Sequence, residues 1–193
     1  MFEKLSLLFK ISRANGIARR YFIVNGFDGA LTMLGLIMGF YVSEHVNMPV
    51  VVNACLGAAI ALGMSGLTSA YISEAAEKKK ELRQLEEAMV KDLGDSAYGQ
   101  ATRLLPFVIA LINGLAPLII SLIIILPLWA TSFALLIPLA PLETALLMAL
   151  AMLFLLGVFL GRISDTFWLW AGLRTLLIAA ATAGLIFLLS PHR

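Results

Sequence analysis

The stretch Leu104–Leu142 reads LLPFVIALINGLAPLIISLIIILPLWATSFALLIPLAPL and contains no Asp, Glu, Lys or Arg. A helix that crosses a bilayer needs roughly 20 mainly apolar residues. This run is too long for one crossing and long enough for two. Pro127, Thr131, Ser132, Pro138 and Pro141 punctuate it, and prolines among small polar residues place the turn between the two crossings there. Three further segments share its length and character. The five predicted spans are residues 21–42, 49–73, 104–127, 139–161 and 167–190.

The composition of the whole chain agrees. Of its 193 residues 61% are apolar and 13% charged, against about half and a quarter in an ordinary soluble domain. A mean hydropathy of +0.94 would give one globule of this size a largely apolar surface. An ordinary soluble enzyme and a disordered chain are thereby excluded. What remains is an all-α polytopic membrane protein whose first partner is the lipid bilayer. A net charge of +2 gives no reason to expect nucleic acid. The single cysteine, Cys55, excludes a disulfide within the chain and a cysteine-rich metal site.

The spans divide the chain. Residues 1–20 put Phe2, Leu5, Leu8, Phe9 and Ile11 near one helical side, with Lys4, Lys10 and Arg13 among them. That pattern predicts an amphipathic helix in the cytoplasmic interface, and the basic interruptions argue against a cleavable signal peptide. Residues 21–73 hold the first two spans and 104–193 the last three. Between them, 74–103 is the one strongly charged piece. Its start, EAAEKKKELRQLEEAMVKDL, is rich in helix formers, so the second span is expected to continue out of the membrane, with Gly94 and Asp95 ending the helix.

Orientation follows from Lys and Arg, which concentrate in cytoplasmic loops. With the N-terminus inside, 13 of the 14 fall on the cytoplasmic side. This count includes Arg174, which can snorkel from within the last span, and leaves only Arg193 outside. A span more or fewer would scatter the basic residues, so the count also supports the five-span division. A prokaryotic plasma membrane is the expected setting, although an organelle whose lumen replaces the exterior fits the same bias.

Asp28 is the most informative residue. It lies inside the first span, in Val24-Asn25-Gly26-Phe27-Asp28-Gly29-Ala30-Leu31-Thr32. A carboxylate at membrane depth costs roughly 2.5–3.5 kcal/mol at a helix centre and normally faces protein or a water-filled path. There it can bind a cation, carry a proton, or do both. The plainer alternative is an aspartate reaching the interface beside Arg19 or Arg20. Asn25, Asp28, Thr32, Gly35 and Gly39 recur at steps of three and four, so they share one helix face. Gly35 and Gly39 at that spacing let a second backbone approach closely. The seam is therefore expected to meet another helix, within the protomer or from a second copy.

Other residues offer metal-binding chemistry less specifically. Met64, on a comparable face of the second span, supplies a thioether suited to a soft or borderline ion, or simply packs. Glu74, Glu77 and Glu81 stack on the charged helix and carry the oxygens that divalent cations prefer. The same carboxylates can instead pair with lysines, as Glu74 with Lys78. No phosphate-cradling Gly-x-x-x-x-Gly-Lys-Ser/Thr loop is present. Gly63-Met64-Ser65-Gly66 matches the serine motif of rhomboid proteases, but His45 and His192 sit at the outer ends of the first and last spans, beyond the reach of a general base. The expectation is a protein that is not an enzyme and holds no resident cofactor.

With these residues in view, the chain resembles the vacuolar iron transporter family. Asp28-Gly29-Ala30-Leu31-Thr32 is similar to that family's Asp-Gly-x-x-Thr signature, and Tyr71-Ile72-Ser73 to the exit of its second span. Asn113-Gly114-Leu115-Ala116-Pro117-Leu118 resembles its third-span motif; Gly157, Gly161-Arg162, Trp168 and Gly172-Leu173-Arg174 resemble its last two spans. The likeness covers most of residues 20–190. It implies a homodimeric antiporter exchanging Fe(II) or Mn(II), as transported substrate, for protons, with the path between the first spans of two protomers. By the resemblance Asp28 would be the intramembrane ligand and proton carrier; Asn25, Thr32, Met64, Glu74, Glu77 and Glu81 are the further candidate metal-site residues, read from their positions and chemistry. Two features depart from the family: Ala58 and Gly66 stand where its second span usually carries a glutamate and a methionine, and 74–103 is much shorter than its cytoplasmic metal-binding domain. They motivate the alternative expectation, a protein on the same scaffold that transports another solute or serves as an interaction module.

Overall fold

The computed structural model describes residues 14–43, 46–129 and 139–190. Five helices make up nearly all of it: α1 Ala14–Tyr41, α2 Met48–Met89, α3 Ala97–Trp129, α4 Pro141–Ile163 and α5 Trp168–Leu189. All five are long and apolar enough to cross a membrane, and the described residues contain no strand. The all-α, five-span expectation holds at that level. The five expected spans fall on the five helices in order.

The helix ends differ from expectation in two places. Residues 14–20, expected to finish an interfacial helix, instead run into the first span without a break; residues 1–13 lie outside the described residues. α2 stops at Met89, before Gly94. Glu86 accounts for this earlier stop. Its carbonyl accepts the amides of Val90 and, at 3.2 Å, Lys91, while its carboxylate accepts the amide of Leu93 at 3.0 Å. These bonds turn the chain through Val90, which takes a left-handed φ of 49°, the reversal that commonly ends a helix. With 42 residues, α2 is about 63 Å long at 1.5 Å per residue. That is roughly twice the hydrocarbon thickness, and the apolar second span and the charged segment after it form one continuous helix. The turn residues Thr131, Ser132 and Pro138, and both histidines, lie outside the described residues.

α3 is the centre of the bundle. Of its most apolar window 56% is buried, against 17% for α5. It packs on α1, α2 and α4, and Ile120, Ile124 and Ile125 join Met33, Leu34 and Ile37 of α1 in the apolar core. Lipid is as apolar as these side chains, so fit between surfaces holds membrane helices together. α2 and α3 bring their backbones together at Asn113-Gly114. A methyl group on Gly114 would lie 2.6 Å from the Gly63 carbonyl oxygen, and one on Gly66 would lie 2.9 Å from the Asn113 carbonyl. Pro117, one turn on, backs against Gly29 in the same way.

These contacts fix the directions of the helices. Asn25 meets Asn113 and Gly29 meets Pro117, so α1 and α3 run parallel. Gly63 meets Gly114 while Gly66 meets Asn113, so α2 runs against α3. Thr175 bonds Leu153 while Gly161 abuts Trp168, so α5 runs against α4. The chain alternates up and down. The starts of α1, α3 and α5 and the ends of α2 and α4 share one end of the bundle. Every Lys and Arg among the described residues lies towards that end, from Arg19 and Arg20 through Lys78–Lys80 and Arg103 to Arg162 and Arg174.

Candidate functional site

Asp28 lies ten residues into the apolar part of α1, which spans Ala18–Tyr41. At the helical rise that is about 15 Å along a stretch of about 36 Å, well inside the hydrocarbon. Its side chain is exposed on the outside of the helix bundle and makes no hydrogen bond or ion pair among the described residues. The alternative of an interfacial pairing with Arg20 is not what the geometry gives, because Arg20 stacks over the Tyr21 ring at 5.8 Å instead. The opposite side of α1, carrying Ile23, Ala30, Met33, Leu34 and Ile37, is the buried one.

Asn25, one turn before Asp28, is anchored. Its amide donates to the Asn113 side-chain oxygen and, at 2.8 Å, to the Tyr21 carbonyl. The Asn113 amide donates in turn to the Gly66 carbonyl at 2.7 Å. One chain of polar contacts therefore links α1, α3 and α2 inside the membrane. Pro117 adds to it. It has no N–H to give the carbonyl of Asn113, four residues back, and that oxygen sits over Gly66. Residues three apart are neighbours on a helix surface, so this oxygen-rich junction lies beside Asp28.

The rest of the expected seam is open. Thr32 is half-buried. A methyl group on Gly35 would meet only the tip of Ile186, at 3.7 Å, and one on Gly39 would have nothing within 4 Å. Met64 is 58% exposed, on the outward side of α2. Thus Asn25 is partnered within the chain, whereas Asp28 and Met64 are exposed and the space beside Gly39 is open.

The three glutamates of α2 go different ways. Glu74 is buried and accepts a 2.9 Å hydrogen bond from the Tyr21 hydroxyl. Glu81 pairs with Lys78 at 2.7 Å and faces the Tyr98 hydroxyl at 3.4 Å. Glu77 is exposed. Glu74 and Glu81 share a face but stand about 10 Å apart along the axis, too far to hold one ion between them. Lys78 pairs with Glu81 and not with Glu74. Burial alone would lower the pKa of Lys78, beyond the membrane, but the Glu81 bond and charge outweigh it and the pKa is raised. Among the described residues no three His, Cys, Asp or Glu side chains converge to hold a metal within one protomer.

Two residues at the junction have no counterpart among the expected site residues. Asn113 is the one amide side chain in the charge-free run Leu104–Leu142, a signal open to sequence reading. Tyr21 carried no such signal, because a tyrosine at a span end reads as an interface anchor. Ser65 is exposed, and the glycines on either side of it serve the approach of α3.

No family model matches the chain, and no solved structure matches it. The chain is similar to a protein of Methanocaldococcus jannaschii named "Uncharacterized protein MJ0645", with 32% identity over 184 residues, 93% of this chain and 92% of that protein.

Proposed function

The chain belongs to the same family as the Methanocaldococcus jannaschii protein MJ0645, and on that premise we propose that it is a proton-coupled carrier of a divalent metal ion, Fe(II) or Mn(II). The observation that carries the proposal is Asp28, a carboxylate at mid-membrane depth on an open protomer face with no described partner. Facing lipid there would cost roughly 2.5–3.5 kcal/mol. A second copy placed against the same face removes that cost and brings two Asp28 carboxylates towards one path. The proposal is therefore a homodimer through α1, with Asn25, Thr32 and Met64 at the edge of the path. Metal held by an ionised Asp28 leaves when a proton takes its place, and that exchange is antiport. The likeness to the vacuolar iron transporter family supports the same reading. The common basic end of the bundle supports an N-terminus in the cytoplasm, across a prokaryotic plasma membrane.

In sealed vesicles the purified protein is expected to take up Mn(II) or Fe(II) with a matching change in lumenal pH. Asp28→Ala and Asp28→Asn should abolish both signals. Flux equal to the parent in either variant would remove Asp28 from the mechanism. Light scattering in detergent should give a mass of two chains; a monomer that still transports would refute the shared path.

A second reading has its own observation. Gly66, where the resembled family usually has a methionine, has no room for a side chain against the Asn113 carbonyl. Ala58 packs on the apolar core. A scaffold closed at both positions suits an altered substrate or an interaction role. Flux across Fe(II), Mn(II), Co(II), Ni(II) and Zn(II) under a pH gradient separates the readings: transport of none favours the second.

A further inference from the structure

Where α2 leaves the membrane, a cleft of about 410 Å³ opens between it and α3. Tyr71, Lys79 and Leu82 line one wall; Thr102, Arg103 and Pro106 line the other. We propose that this cleft binds the phosphate of an anionic phospholipid, held between Lys79 and Arg103.

The charges are available. Lys78 is paired with Glu81 and Arg83 with Glu87, but Lys79 and Arg103 make no ion pair among the described residues. In and beside the connecting turn, Glu86 accepts the Leu93 amide at 3.0 Å and Asp92 the Gly94 amide at 2.8 Å, and neither of them nor Asp95 forms an ion pair with Lys79 or Arg103 among the described residues. Two unpaired cations on opposite walls of a cleft attract a phosphate, and the guanidinium can grip two of its oxygens.

The level of the cleft favours a lipid over free phosphate. Tyr71 is in the last turn of the expected second span and Pro106 in the first turn of the third. Lys79 lies about 12 Å further along α2 than Tyr71. The cleft therefore runs from the hydrocarbon edge to the headgroup layer. Phe107, four residues beyond Arg103 on the same helix face, is 59% exposed, and Ile72 beside Tyr71 is 63% exposed. They offer apolar surface for acyl chains directly below the cations. Basic pockets between helices on the cytoplasmic side suit anionic headgroups, and each cation near the surface contributes about 1 kcal/mol.

The test measures bound lipid by native mass spectrometry and thermal stability in neutral detergent, on the full chain. Phosphatidylglycerol should bind and raise the melting point, and phosphatidylcholine should not. The pair Lys79→Gln with Arg103→Gln should weaken phosphatidylglycerol binding roughly thirtyfold. Lys79→Arg with Arg103→Lys should retain it, and Lys80→Gln with Lys91→Gln should leave it unchanged. An equal response to inorganic phosphate or glycerol phosphate would overturn the lipid assignment in favour of a soluble anion. Equal loss in the Lys80 and Lys91 variant, or no response to phosphatidylglycerol at all, would overturn the site.

Discussion

The α1–α2–α3 junction and the α4–α5 hairpin are both built by backbones pressed together at small residues, yet they treat polar atoms differently. At the junction, amide side chains reach from helix to helix, Asn25 to Asn113 and Asn113 to the Gly66 carbonyl. In the hairpin, Thr175 keeps its closest bond within its own turn, 2.7 Å to the Gly172 carbonyl, with Leu153 across the interface at 3.0 Å. Asp28 lies beside the first region, well inside its span, whereas the carboxylates of the second, Glu143 and Asp165, sit at the ends of its helices. Close packing alone makes a scaffold. Close packing with amides bridging three helices, next to an open carboxylate, marks where the scaffold has another task.

The harshest way to break the comparison is where the junction presses backbone against backbone. Gly114→Leu puts a side chain against the Gly63 carbonyl and the Leu67 backbone, and neither can swing aside. A loss of about 3 kcal/mol or more is expected, read as a collapse of the melting point in detergent. Gly184→Leu has nothing within 4 Å to meet and should change stability by no more than about 0.5 kcal/mol. Similar losses in the two variants would mean that the α2–α3 crossing is not what holds the bundle.

The next effect sharpens the role of the amides. Asn113→Leu removes one acceptor and one donor, leaving the Asn25 amide with only the Tyr21 carbonyl and the Gly66 carbonyl with only the longer, 3.4 Å bond from the Ser69 hydroxyl as a side-chain contact. The expected cost is about 1–2 kcal/mol. A double-mutant cycle of Asn25→Ala with Asn113→Ala should show a coupling of about 0.6–1.7 kcal/mol. Zero coupling would make the bridge an incidental contact.

How much of this the sequence disclosed follows from the range of each interaction. The spans were legible because a run of about 20 mainly apolar residues is itself the condition for crossing a bilayer. Asp28 was legible because its cost depends on depth, which counting along the chain supplies. The packing role of the glycines in Gly63-Met64-Ser65-Gly66 was not legible, because it shows only once Asn113-Gly114 is placed opposite them. The glutamates were misleading in another way. Periodicity stacked Glu74, Glu77 and Glu81, but periodicity carries no information about which neighbour each height of the helix meets. Tyr21 takes Glu74 from 53 residues away, and Lys78 takes Glu81.

Tyr21→Phe tests that first pairing. It leaves the buried Glu74 carboxylate without its hydroxyl partner, and a buried acceptor stripped of its donor costs about 1–3 kcal/mol. The low end, about 1 kcal/mol, is expected because Glu74 lies near the end of the span where water can reach to replace the donor. A change within error would place Glu74 in contact with water already.

The smallest effect belongs to the hairpin. Thr175→Val keeps the shape that fits against Gly157, and removes only the hydroxyl. The Leu153 carbonyl it bonds lies inside a regular helix and retains its intrahelical partner, so no buried acceptor is orphaned. Membrane hydrogen bonds of this kind average about 0.6 kcal/mol, and the expected loss is no larger than that in melting experiments. The junction and the hairpin then differ in the way their hydrogen bonds imply, because removing Asn113 takes away two bonds between helices and removing the Thr175 hydroxyl takes away one. A Thr175→Val loss that matched or exceeded that of Asn113→Leu would reverse the ranking, and the hairpin would become the region whose polar atoms hold helices in register.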